Sequence, residues 1–204
     1  MKKALILVSC FIILATCSSN PRVDRVGTDA QIDLSGRWND TDVRLVCESL
    51  INDFFSSPQV SRFIQEYSAR NGGRRPAAIV GIFRNESSEH IDTTIISRVM
   101  ESTIVNSGRL DFVAGGDTRL EIRDERQDQQ LHASEATAAF LGHETGAILL
   151  LTGTVNSMVD RAGNTTVRSY FVNAEMTNIE TNTRLWMGSN NEIRKVIQQS
   201  RFRL

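Results

Sequence analysis

Apolar and polar positions follow a sequence of distinct patterns along the chain. Ala4 to Ala15 is an apolar run broken only by Ser9 and Cys10, and Lys2 and Lys3 precede it. Ser18 to about Gly36 is polar and has no period. Val43, Val46, Cys47, Leu50, Ile51 and Phe54 then recur at the spacing that puts apolar side chains on one buried helix face, with Asp40 or Thr41 as its cap. Phe63, Ile64 and Tyr67 predict a second short helix that ends at Asn71-Gly72-Gly73. Ala77 to Phe83 is continuously apolar and reads as a buried strand. Ile95, Ile96, Val99, Met100 and Ile104 form another helical stripe, closed by Asn106-Ser107-Gly108, and Leu110 to Val113 is a short strand.

The second half changes character. Thr118 to Gln130 is highly charged and predicts a helix, with a further helix from Ser134 to His143. Ala147 to Val159 and Thr165 to Ile179 predict two long strands, and Asp160 to Asn164 has the composition of a hairpin turn. A turn at Glu180 to Thr183 leads into a strand over Arg184 to Met187; the tail from Glu192 to Leu204 is open to strand or helix. Strands alternating with helices, followed by a meander, imply an α/β fold: a single domain with a mixed four- to five-stranded sheet flanked by helices.

Composition narrows the function classes. The chain has 204 residues, 40% hydrophobic and 23% charged, which suits one globular domain and argues against disorder throughout. Its 23 basic and 24 acidic residues leave a net charge of −1, the wrong balance for a dedicated nucleic-acid binder. The apolar run at the N-terminus makes about 18 Å of helix, short of the roughly 30 Å of a bilayer core, and reads as an export signal. Leu14-Ala15-Thr16-Cys17 resembles a bacterial lipobox, although Thr16 replaces the usual small residue. The expected organisation is a signal peptide over 1–16, a lipidated Cys17 with a tether over 17–36, and a globular domain over 37–204. Cys10 leaves with the signal and Cys17 carries lipid, so Cys47 is alone and expected to be a buried structural thiol.

Three stretches together resemble the LpoB family of penicillin-binding-protein activators. They are Ile79-Val80-Gly81 leading through Arg84-Asn85-Glu86-Ser87-Ser88-Glu89-His90-Ile91-Asp92-Thr93; Leu151-Thr152-Gly153 through Asn156-Ser157 to Val159-Asp160-Arg161; and Leu185-Trp186 with Asn191-Glu192-Ile193-Arg194-Lys195. The resemblance implies a domain similar to the N-terminal domain of TolB, anchored by lipid in the envelope, with the outer membrane facing the periplasm as the expected place. It also implies a monomer that binds a class A penicillin-binding protein and stimulates glycan polymerisation. Enterobacterial members carry a long proline-rich tether, whereas this one is short and contains only Pro21. An adaptor of the same fold with another envelope partner is therefore the alternative, and a peptidoglycan hydrolase the remote one.

Motifs for catalysis are scarce: the chain lacks G-x-S-x-G, a P-loop, H-E-x-x-H and a paired-cysteine metal motif. No enzyme activity, cofactor or metal is expected. The loop Glu86 to Asp92 holds Glu86, Glu89, His90 and Asp92, which read as loop architecture or partner contact ahead of metal ligands, with Asp92 as a helix N-cap. In the charged helix, Glu121, Asp124, Glu125 and Asp128 share one face, while Arg119, Arg123 and Arg126 lie nearly opposite. Such sorting requires partners, because like charges at helical spacings repel. The expectation is that the arginines pair within the domain, and the acidic stripe is a candidate surface for a basic patch of the partner. Arg194, Lys195, Arg201 and Arg203 read as a solvated basic end.

Overall fold

Asn39 starts the first helix. Its side chain accepts from Asp42 N at 3.1 Å while Asp42 Oδ2 accepts from Asn39 N at 2.9 Å, so each residue satisfies an orphan donor of the other. The cap is thus Asn39, ahead of the expected Asp40 or Thr41, because the reciprocal bond needs an acid three positions on. The computed structural model describes residues 24–27, 30–134 and 144–199. The chain divides into two units, Met1–Gln31 and Ile32–Leu204. The described residues of the first, 24–27, 30 and 31, form no helix or strand. No helix among the described residues is long and apolar enough to cross a membrane.

In the second unit, α1 spans Asp40–Ser56 and buries the whole expected stripe, Val43 to Phe54. Helix α2 spans Pro58–Arg70, with proline in its first turn where no backbone donor is lost. Strand β1 is Ala77–Asn85 and α3 is Thr93–Ser107, closed by Gly108 at φ 62°. Strand β2 is Asp111–Phe112 and α4 is Gly116–His132. The meander follows: β3 Leu149–Ala162, β4 Thr165–Asn178, β5 Thr183–Asn190 and β6 Arg194–Gln198. The expected helix from Ser134 to His143 lies outside the described residues, save for Ser134.

Strand order is β2-β1-β3-β4-β5, with β6 also on β4. β1 runs parallel to β2 and β3, and the rest is antiparallel, so the sheet is mixed as expected. β5 pairs with Val172–Asn178 and β6 with Thr165–Ser169, so the two share one edge of β4. The tail left open in the sequence is therefore partly strand. Helices α1 and α3 pack against each other and onto the sheet, and the core between them holds Val46, Phe54, Met100, Leu151 and Met176.

Two bulges revise the sequence reading. Between Val80 and Phe83, β1 carries one residue more than β3, which turns Ile82 out to 74% exposure and returns Phe83 to the core. The apolar run is thus not buried throughout. The shift between Met176 and Thr177 gives β5 an extra residue, so consecutive Leu185 and Trp186 are both buried. Gly153 lies beneath Phe83: a Cβ there would meet that ring and stand 2.5 Å from the Asn173 carbonyl oxygen.

Candidate functional site

The β3–β4 hairpin runs on past the last β1 pair, Asn85↔Val155, to a two-residue turn at Gly163-Asn164. At about 3.4 Å per residue, the seven residues Asn156–Ala162 make an arm of roughly 24 Å. Two segments cover the arm's inner face. One is the loop after β1 and the other is the chain before α1.

The loop is built on Asn85. Its Oδ1 accepts from Ser87 N at 3.0 Å, its Nδ2 donates to Glu89 O at 2.7 Å, and Glu86 N donates to Val155 O at 2.8 Å. This geometry turns Glu89 inward. Only 10% of the Glu89 side chain is exposed; Oε2 accepts from the Tyr170 hydroxyl at 3.0 Å and Oε1 stands 2.7 Å from Arg168 Nη1. The last contact is an ion pair with poor hydrogen-bond angles, and Arg168 Nε and Nη1 are buried without hydrogen bonds. Burial, followed by the bond to Glu89, lifts the Tyr170 phenol to about 12. Glu86 and His90 face solvent. Asp92 caps α3, accepting from Thr94 N at 3.0 Å, and that hydroxyl and amide hold its carboxyl below the usual range. Among the described residues, no three His, Cys, Asp or Glu side chains are grouped to hold a metal.

The covering chain is pinned by Lys195. Its Nζ lies 2.6 Å from both Asp33 Oδ1 and Asp42 Oδ2 and donates to Arg37 O at 2.9 Å. With 9% of its side chain exposed, Lys195 is not the solvated cation the sequence implied; its alternation on β6 points it inward. Arg194 faces out and donates to Ser169 Oγ, and Arg201 and Arg203 lie outside the described residues. Trp38 meets Tyr170 edge-on at 5.2 Å.

Helix α4 forms a second candidate surface. No residue of it is buried. Arg119, Arg123 and Arg126 converge on Glu144, with Arg123 bidentate at 2.8 and 3.1 Å and the others at 3.9 and 3.6 Å. The arginine face therefore has its acid within the domain. The bond from Arg123 holds the Glu144 carboxyl below its ordinary range. Glu121, Asp124, Glu125 and Asp128 all face solvent, with Gln129 donating to Glu125 and His132 near Asp128.

Of the residues singled out in the sequence, Glu86, Glu89 and His90 meet at the hairpin arm, and the four acids line α4. Cys17 lies outside the described residues, as does His143. Cys47 is buried and its thiol is pushed up to about 12 by that burial. Sequence reasoning missed Arg37, Arg161 and Arg168, which the arm brings together from distant positions. The one available signal was that Arg161 alternates onto the same strand face as Val159.

Residues 42–192 match the family described as peptidoglycan-synthase activator LpoB. No curated protein matches the chain. Among solved structures, the LpoB C-terminal domain from Escherichia coli is 12% identical, with a TM-score of 0.45 over 78% of this chain and 99% of that one. The NMR structure of E. coli LpoB is 13% identical, with a TM-score of 0.41 over 91% and 85%. The PelC dodecamer from Paraburkholderia phytofirmans is 13% identical, with a TM-score of 0.32 over 57% and 70%.

Proposed function

We propose, on the premise that this chain belongs to the LpoB family of peptidoglycan-synthase activators, that it binds a class A penicillin-binding protein and stimulates its glycan polymerisation. It does so as a non-catalytic regulator held by lipid on Cys17, with the domain in the periplasm and the anchor in the outer membrane. The family match carries the reading, since it reaches from α1 through β5. The surface offered to the synthase is the acidic stripe of α4, with Glu86 and His90 as a second contact. The stripe supports this role because the arginines behind it are engaged by Glu144, leaving Glu121, Asp124, Glu125 and Asp128 to act outward. Charges of this kind steer encounter and set specificity more than they set affinity.

The test is reconstitution. Adding the purified protein to its own organism's class A synthase with lipid-linked precursor raises the polymerisation rate. A protein that neither binds any such synthase nor changes that rate refutes the reading. The short tether favours a second reading, an adaptor for another envelope partner, and identifying what is captured from cross-linked cells separates the two.

A further inference from the structure

The inner face of the hairpin arm holds two hollows of about 510 Å³ each, and the walls of both include Arg37, Arg161 and Arg168. Most other wall groups are hydrogen-bond donors as well as acceptors: Ser88 in one hollow, Ser35 and Thr166 in the other. Glu89 is the one acid in either wall among the described residues, and it is committed to Arg168 and Tyr170. No acid stands within ion-pair distance of Arg37 or Arg161 among the described residues, whereas Arg44, Arg70, Arg75, Arg98 and Arg184 each have one. Three guanidiniums beside a concave wall with a single carboxylate create a focused positive potential.

We infer that this groove binds a phosphate-type oxyanion between Arg37, Arg161 and Arg168. A carboxylate has two oxygens and is satisfied by one bidentate guanidinium. A tetrahedral phosphate has oxygens left over for further guanidiniums and for hydroxyls, and that is the surplus of donors found here. Arg168 is the fixed member, held by Glu89 with 14% of its side chain exposed. Arg37 and Arg161 are exposed and complete the grip. The phosphate can belong to a soluble ester or to an anionic lipid headgroup, and the chemistry is the same. The site is separate from the acidic stripe of α4 and shares only His90 with the second synthase contact; its phosphate and vesicle readouts need no synthase, so its failure is distinguishable from that of the synthase reading.

The full chain carrying Cys17→Ala, which removes acylation, is the material for the test. Titration with inorganic phosphate shifts the Nε–H signals of Arg37, Arg161 and Arg168 saturably. The double variant Arg37→Gln/Arg161→Gln weakens that binding about tenfold or more, the loss expected for charge-assisted bonds, with an unchanged melting temperature. Flotation with phosphatidylglycerol vesicles against phosphatidylcholine vesicles then identifies the source. A difference that the double variant abolishes places the phosphate on a lipid, and phosphate binding without such a difference places it on a soluble ester. Absence of both responses, or responses that persist in the double variant, overturns the proposal.

Discussion

Asp42 and Lys195 carry the strongest electrostatic demand made on individual side chains. Asp42 is buried, and that burial raises its carboxyl above the usual 3.8 even though Lys195 Nζ is 2.6 Å away. The fold therefore binds a proton at Asp42 more tightly than the unfolded chain does, and the site's contribution to stability falls as pH rises from 3.8 through the raised value. Lys195→Met leaves that carboxylate buried without its cation and costs about 3 kcal/mol at neutral pH. The double variant Asp42→Asn/Lys195→Met recovers most of the loss, as a urea-unfolding cycle over the four proteins will measure. Failure of the second change to restore stability would assign the cost to packing. The two kinds of buried polar or thiol residue differ in legibility. Cys47 was readable because its helical neighbours define its environment. Lys195 was not, because its partner Asp33 lies 162 residues away and only the β4–β6 register brings them together.

At the level of elements, helical periods and glycine stops translated well: α1, α3 and the hairpin stand where their patterns put them. Bulges did not, since one inserted residue reverses which side chains face the core and leaves no periodic trace in a run as uniformly apolar as Ala77–Phe83. Helix α4 was legible in its charge sorting but not in its partner, because Glu144 follows a long intervening segment. Its depressed carboxyl means that the stabilisation is present above the ordinary value of 4.5 and is lost as pH falls through the lower folded value. Glu144→Gln removes the acid from all three arginines. Protection of α4 amides against hydrogen exchange then falls at neutral pH to the protection factor the native protein shows only in acid, while protection in α1 and α3 is kept. Equal loss of protection everywhere would mean that Glu144 supports the whole domain. Charge reversal at Asp124 and Glu125 addresses the opposite face. It slows association with the synthase and flattens the dependence of that rate on salt, with little change in melting temperature. Unaltered kinetics at low salt would return the stripe to solvent.

On the scale of the whole molecule, reach decides what the domain can meet. The fold does not begin where the polar stretch ends: residues from Ile32 onward are already tied to it, with Asn39 Nδ2 donating to Ile32 O at 3.1 Å and to Asp33 Oδ1 at 2.7 Å. The sequence from Ser18 to Gln31 that precedes it is then 14 residues. Fully stretched it covers about 50 Å at most, and as a flexible coil nearer 20 Å. If Cys17 is the anchor and the synthase sits in the opposite membrane, meeting it draws on that length at the entropic cost of straightening the chain. Deleting the ten residues from Asn20 to Asp29 removes up to about 35 Å of reach. If the anchored protein acts across the envelope, that deletion abolishes activation in cells and leaves activation of the purified synthase intact, because in solution no distance has to be bridged. Inserting ten flexible residues at the same place restores the function in cells. A deletion that is silent in cells would mean that partner and anchor share a membrane surface, which is where an adaptor would work.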